Sequence, residues 1–222
     1  MPNQLGVAPV THRGIAAEAA ARIKNAILGG DFPPGTSLLE VDLAASMGIS
    51  RGSVREGLAQ LERDGIVVTA WHRPTRVIDV TRHDAVELYA LRSALDVLAA
   101  SSAAAADSHE PIDTALARLE AMSRSGAGFG ELLELDLGFH DAIYEVAGNS
   151  RLEHAWRAIR SQVHLFQTRR VLNDVDDYRE RLIREHREIA DLIAAGPSKR
   201  LDRCVSEHVS SALAALVKGL DA

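Results

Sequence analysis

Four side chains that could share one cation stand on helical faces that should be apolar. Over residues 131–147 the inward stripe reads Leu132, Asp136, Phe139, His140, Ile143, Ala147. Over 177–195 it reads Leu182, His186, Ile189, Ile193, and in the last segment Leu201, Val205, His208, Ala212, Leu216. A buried carboxylate or imidazole without a partner costs several kcal/mol, so these groups need one in common. Three imidazoles and a carboxylate are borderline ligands that suit a divalent transition metal: zinc first, with nickel, cobalt or manganese as alternatives. Asp136 and His140, one turn apart, offer two ligands from one face. The alternative for any one of these histidines is a hydrogen-bonded core residue; three helices each placing a ligand type on the buried stripe favour the cage. His12, His72, His83, His109, His154 and His164 show no comparable pattern.

A second constellation lies in "SRGSVREGLAQLERDG", residues 50–65. Arg51 and Arg55 share one helical face, while Val54, Leu58 and Leu61 face the other way. An arginine fork can read guanine O6 and N7 or clamp a phosphate. Ser50 and Ser53, with the free amides of the first turn, suit phosphate oxygens. Gly52 costs about 1 kcal/mol of helix propensity relative to alanine, which implies that a side chain there would collide with something. Further on, His72, Arg73 and Arg76 add cations on a projecting loop, suited to the minor groove or its phosphates. The alternative for each arginine is a solvated surface charge; order and clustering favour DNA.

The elements that must carry these groups fall into two sets. Residues 15–28 form a helix stopped by Gly29-Gly30, "FPPG" (32–35) is a turn, and 39–47 make a second helix ended by Gly48. A third helix is capped by Ser50 and runs to Asp64, with Gly65 beyond it. "IVVTA" (66–70) and "RVIDV" (76–80) read as strands with "WHRPT" as the hairpin tip. That is a winged helix-turn-helix over residues 1–80. Residues 81–222 read as about six amphipathic helices, broken at 107–111, 125–129, 148–150, 173–176 and 196–198, an antiparallel bundle. The expected fold class is mainly α.

Composition sets the outer limits. The 222 residues are 46% hydrophobic but only 4% aromatic, which favours helices. The net charge of −6 sits wholly in the C-terminal part: residues 1–80 carry 8 basic and 8 acidic side chains, the rest 17 and 23. DNA binding must therefore come from placed cations and not from bulk charge. The single cysteine, Cys204, allows no intrachain disulfide. The start lacks the pattern of a signal peptide and no window spans a membrane, so a cytoplasmic protein is expected.

"LLEVDLAASMGISRGSVREGLAQLERDGIVVT" resembles the DNA-binding domain of the GntR family of bacterial transcriptional regulators. The shared marks are Leu43-Ala44, Gly48-Ile49-Ser50-Arg51, Val54-Arg55-Glu56 and Asp64-Gly65-Ile66. The wing "HRPTRV" is similar to that of the FadR branch. Val41 departs from the family by replacing a DNA-contacting arginine, and Trp71-His72 replaces a His-Gly tip. "LYALRSALD" (88–96), "DLGFHDAIYEVAGN" (136–149), "EHREIADLI" (185–193) and "HV" (208–209) resemble the FCD effector domain, in its shorter, VanR-like type.

The resemblance implies that Arg51, Arg55 and the wing tip contact an operator, and that Asp136, His140, His186 and His208 hold a metal. It also implies that Arg92 binds an effector, often a small carboxylate, beside that metal. An ion pair of Arg92 with Asp96 or Glu87 is the alternative, and Asp96 replaces the more usual glutamate. The expected function is a metabolite-responsive regulator, more often a repressor, bound as a homodimer to palindromic operator DNA. Two alternatives use the same four ligands. One is a regulator that senses the metal itself. The other is a metal-dependent hydrolase, which the lack of a further general base disfavours, so no enzymatic activity is expected.

Overall fold

The computed structural model describes residues 12–70, 73–171 and 175–220. The chain separates into two compact units, one ending at Ile78 and the other beginning at Asp79.

The first unit is a winged helix-turn-helix. Helix α1 (His12–Leu28) buries Ala16, Ala19, Ala20, Ile23 and Ile27, spaced to line one face. Against it lies α3 (Arg51–Arg63), which buries Val54, Leu58 and Leu61. The two helices can approach closely because Gly57 has no side chain. A Cβ there would meet the Ala16 carbonyl oxygen and the Ala20 nitrogen at 3.1 Å each. Helix α2 (Glu40–Met47) ends at Gly48, whose φ of 67° is the left-handed cap that turns the chain into α3.

The sheet differs from expectation. It has three strands in the order β1-β3-β2: β1 (Ser37–Leu38), β2 (Val67–Val68) and β3 (Thr75–Val77). The pairings are antiparallel, Val67 facing Val77 and Ser37 facing Arg76. The strands are shorter than expected and β1 was not expected at all. The Pro33–Thr36 turn swings the chain back so that Gly35 N–H donates to the Val77 carbonyl at 3.0 Å. Thr75 and Arg76 therefore sit in β3, so that Thr75 belongs to the strand and not to the tip. Trp71 and His72 lie outside the described residues.

The second unit is all helical: α4 (Arg82–Ala103), α5 (Glu110–Arg124), α6 (Phe129–Val146), α7 (Ser150–Val171), α8 (Val175–Ala194) and α9 (Lys199–Leu220). Thr81 caps α4 by accepting the Asp84 N–H at 3.2 Å. Neighbours in sequence pack together, α5 on α6, α6 on α7 and α8 on α9, while α4 packs along α9. Four of these helices, α4, α6, α8 and α9, bring Arg92, Asp96, Asp136, His140, His186 and His208 into the interior. Among the described residues no helix is long and apolar enough to cross a membrane.

Candidate functional site

The exposed surface of the first unit is built on the start of α3. Ser50 adopts an extended backbone and its Oγ accepts the Ser53 N–H at 3.1 Å. Ser53 is buried, its hydroxyl 2.9 Å from that of Ser50, so the two hydroxyls expected at phosphates are engaged with each other and only Ser50 faces solvent. Arg51 and Arg55 stand on the exposed edge. Both turn toward Glu40 at the head of α2: Arg55 Nε and Nη2 donate to its two carboxylate oxygens at 2.8 and 2.7 Å, and Arg51 Nη2 is 3.8 Å away. The bond from Arg55 holds the Glu40 carboxyl below its ordinary range, and the same bond raises Arg55. Glu40 thus groups two forks on one face, in water, where the ion pairs are weak and easily exchanged for phosphate.

A Cβ at Gly52 would meet nothing closer than Ser50 Oγ at 3.6 Å, so among the described residues none requires a glycine there. Arg73 is exposed, and Arg76 projects from β3, its Nε donating to Ser37 Oγ at 3.2 Å. His72 lies outside the described residues.

The second unit brings Asp136, His140, His186 and His208 together. All four are buried, and each of the three histidines offers a ring nitrogen within 4.8 Å of the others'. Asp136 Oδ1 is 2.7 Å from His186 Nε2 and 3.7 Å from His140 Nε2. Each of the four also has a holder. His186 Nδ1 donates to the Leu182 carbonyl and His208 Nδ1 to Glu185, both at 2.7 Å. Tyr178 OH donates to Asp136 Oδ2 at 3.2 Å, and Asp96 stands 3.5 Å from His140 Nδ1. Such outer partners fix which ring nitrogen is turned into the cluster.

The donor set fits a cation on three counts. His208 Nε2 is buried and has no hydrogen-bond partner among the described residues. His186 gives its Nδ1 to a carbonyl, so its Nε2 is the nitrogen turned to the Asp136 carboxylate, and the two are donor atoms that a shared cation would satisfy. The protonation states are also those that a metal needs. Burial, with the charge on Arg92, pushes His140 well below the ordinary imidazole value. Burial likewise lowers His208 against the opposing pull of Glu185. Burial alone would raise Asp136, but His186, His140 and Arg92 together hold it far below the carboxylate range.

Arg92 is fully buried and not a surface ion pair. Its Nε donates to Asp96 Oδ2 at 3.1 Å, its Nη2 to His140 Nε2 at 3.0 Å, and its Nη1 has no hydrogen-bond partner among the described residues. Asp96 Oδ1 in turn accepts from Tyr144 OH at 2.6 Å. Asn149, at the start of α7, accepts the Arg151 and Leu152 N–H groups as a cap.

Comparison with known proteins agrees with both halves. Residues 15–77 match the model for bacterial regulatory proteins of the gntR family, and residues 87–211 match the FCD domain. The chain belongs to the GntR family, with an FCD domain. It is 28% identical over 192 residues to the HTH-type transcriptional regulator YdhC of Bacillus subtilis, covering 85% of this chain and 83% of that one. It is 28% identical over 208 residues to a Paenarthrobacter nicotinovorans protein named "Probable D-xylose utilization operon transcriptional repressor", covering 93% and 90%. A solved GntR regulator from Rhodococcus sp. RHA1 shares the fold with a TM-score of 0.80 at 23% identity, over 92% of this chain and 98% of that one. The protein is a GntR-type, DNA-binding transcriptional regulator.

Several residues of the site escape a reading of spacing. Glu40, Tyr178 and Glu185 sit where polar residues are ordinary, and only contacts across helices reveal them. Asp96 carried a signal, being four residues after Arg92 on the face that also holds Tyr89 and Ala99. His164 is buried too, but it stands 3.2 Å from Glu134 and outside the cluster.

Proposed function

We propose that this GntR regulator is a cytoplasmic repressor that binds a palindromic operator as a homodimer and is released by a small carboxylate sensed beside a divalent metal, zinc first. The observation that carries the reading is the buried Nε2 of His208 in a cluster that also holds Nη1 of Arg92, both without a hydrogen-bond partner among the described residues. Asp136, His140, His186 and His208 would hold the ion, which supplies an open coordination position for an oxygen ligand. Arg92 would take the carboxylate of the same effector.

The cleft between Asp96, His140, Ile143, Tyr144, Ile189 and Val205 is too tight for a water molecule. An effector seated there must part α6 from α8 and α9, and such a movement can couple the site to DNA affinity. On the DNA side, Ser50, Arg51, Arg55, Arg73 and Arg76 supply the exposed contacts, together with His72. The open space at Gly52 lets a partner's backbone come close to α3. A homodimer draws support from Leu91, Ala94 and Leu98, an exposed apolar stripe at helical spacing on α4.

The test selects an operator from random DNA with the zinc-loaded protein and measures affinity with and without added small carboxylates. A twofold-symmetric site and a carboxylate that weakens binding at least ten-fold are expected. A site without symmetry, or an affinity that follows zinc but no carboxylate, would contradict the proposal and favour a metal sensor.

A further inference from the structure

The contact between Arg92 and His140 has a consequence for the order in which ligands bind. An arginine has only donors, so His140 Nε2 receives the Nη2–H of Arg92 at 3.0 Å with its lone pair. The ring's other nitrogen is turned to Asp96, 3.5 Å away. Nε2 is the atom that faces Asp136, 3.7 Å from its Oδ1, and so the atom that a metal held with Asp136 would use. One lone pair cannot serve both.

We propose that Arg92 and the divalent cation compete for His140 Nε2, so that metal binding arms the arginine for its carboxylate. This rests on the metal cage proposed above. Without the ion, Nη2 is spent on His140 and only Nη1 lacks a hydrogen-bond partner among the described residues. When the ion takes Nε2, Nη2 is released while Nε stays on Asp96, itself anchored by Tyr144. Nη1 and Nη2 then form the end of a planar fork, the geometry that grips a carboxylate by both oxygens. Metal and effector thus bind with positive coupling through a residue that need not touch the metal. The coupling is reciprocal: a carboxylate that draws Arg92 away strengthens the metal. Asp96 is the pivot, and its short side chain keeps Nε fixed while the terminal nitrogens change partner.

The experiment titrates zinc into metal-stripped full-length protein against a chelating dye, comparing the wild type with Arg92→Gln, whose amide can still reach Asp96 but not His140. It is joined to a crystal structure of the zinc-loaded wild type without carboxylate. Expected are zinc affinity at least five-fold tighter in Arg92→Gln, and an Arg92 terminal nitrogen that has left His140 Nε2 in the wild-type structure. Equal affinities would overturn the proposal. So would a gain in affinity with Nη2 still within 3.5 Å of the zinc-bound Nε2, since the gain would then be charge repulsion alone. Should Arg92→Gln fail to fold, the wild-type structure decides alone. Zinc binding in neither protein would overturn the proposal together with the cage on which it rests, whereas zinc binding with equal affinities overturns the competition alone.

Discussion

The head of α3 and the core of the bundle both gather charged side chains, yet they hold them in opposite ways. Arg51 and Arg55 lie in water with side chains 62% and 65% exposed, and among the described residues their ion pairs go to Glu40. Such pairs contribute little to stability and exchange readily for another anion. Asp136, His140, His186 and His208 lie out of water, each fixed by a second group. There every charge must be matched, because an unmatched one costs several kcal/mol. The proposed operator surface keeps its cations loose and wet, whereas the proposed ligand site keeps its charges paired and dry.

The contrast is sharpest when one residue is removed from each region. His186→Ala leaves Asp136 buried without its main partner, and we expect a loss of about 4 kcal/mol in denaturant unfolding. Arg55→Ala should leave the unfolding midpoint within the range of a surface change, about 0.5 kcal/mol. Its operator affinity, read by fluorescence anisotropy at fixed salt, should fall by about 2 kcal/mol. A large stability loss from Arg55→Ala, or none from His186→Ala, would erase the difference between the regions.

Smaller effects probe how the core site is held. Glu185→Gln keeps the shape but weakens the acceptor that orients His208, and zinc affinity should drop about ten-fold by dye competition. An unchanged affinity would mean that packing alone orients the ring. Acid gives the smallest effect. His140 and His208 have folded values below the unfolded 6.5, so the folded state binds fewer protons than the unfolded chain below that pH. Their contribution in the metal-free protein is intact above pH 6.5 and falls away beneath it, by on the order of 1 kcal/mol near pH 5.5. Urea midpoints at pH 7.5 and 5.5 measure it; a midpoint that holds or rises in acid would show that the rings are not buried neutral.

Periodicity made the helices legible, since Val54, Leu58 and Leu61 on α3 and the histidine-bearing stripes of α6, α8 and α9 are repeated on one face each. It could not show β1, because two residues carry no alternation. Nor could it tell Gly52 from Gly57: both are glycines inside one helix, and only the backbone of α1 against Gly57 distinguishes the packed one. The four cage residues stood out because polar groups interrupt apolar stripes. Glu185 did not, since a glutamate beside a histidine reads as part of a solvated face until α9 is laid against it. Arg92 was legible as a residue of interest only through family resemblance, and its burial and its bond to His140 depend on α4 meeting α6.

Metal content tests the central claim most directly. Elemental analysis of purified wild-type protein, after incubation with zinc or nickel and removal of the excess, should give about one ion per chain, and His208→Ala treated alike should lose most of it. Equal metal in both proteins, or none in either, would contradict a cage built from Asp136, His140, His186 and His208.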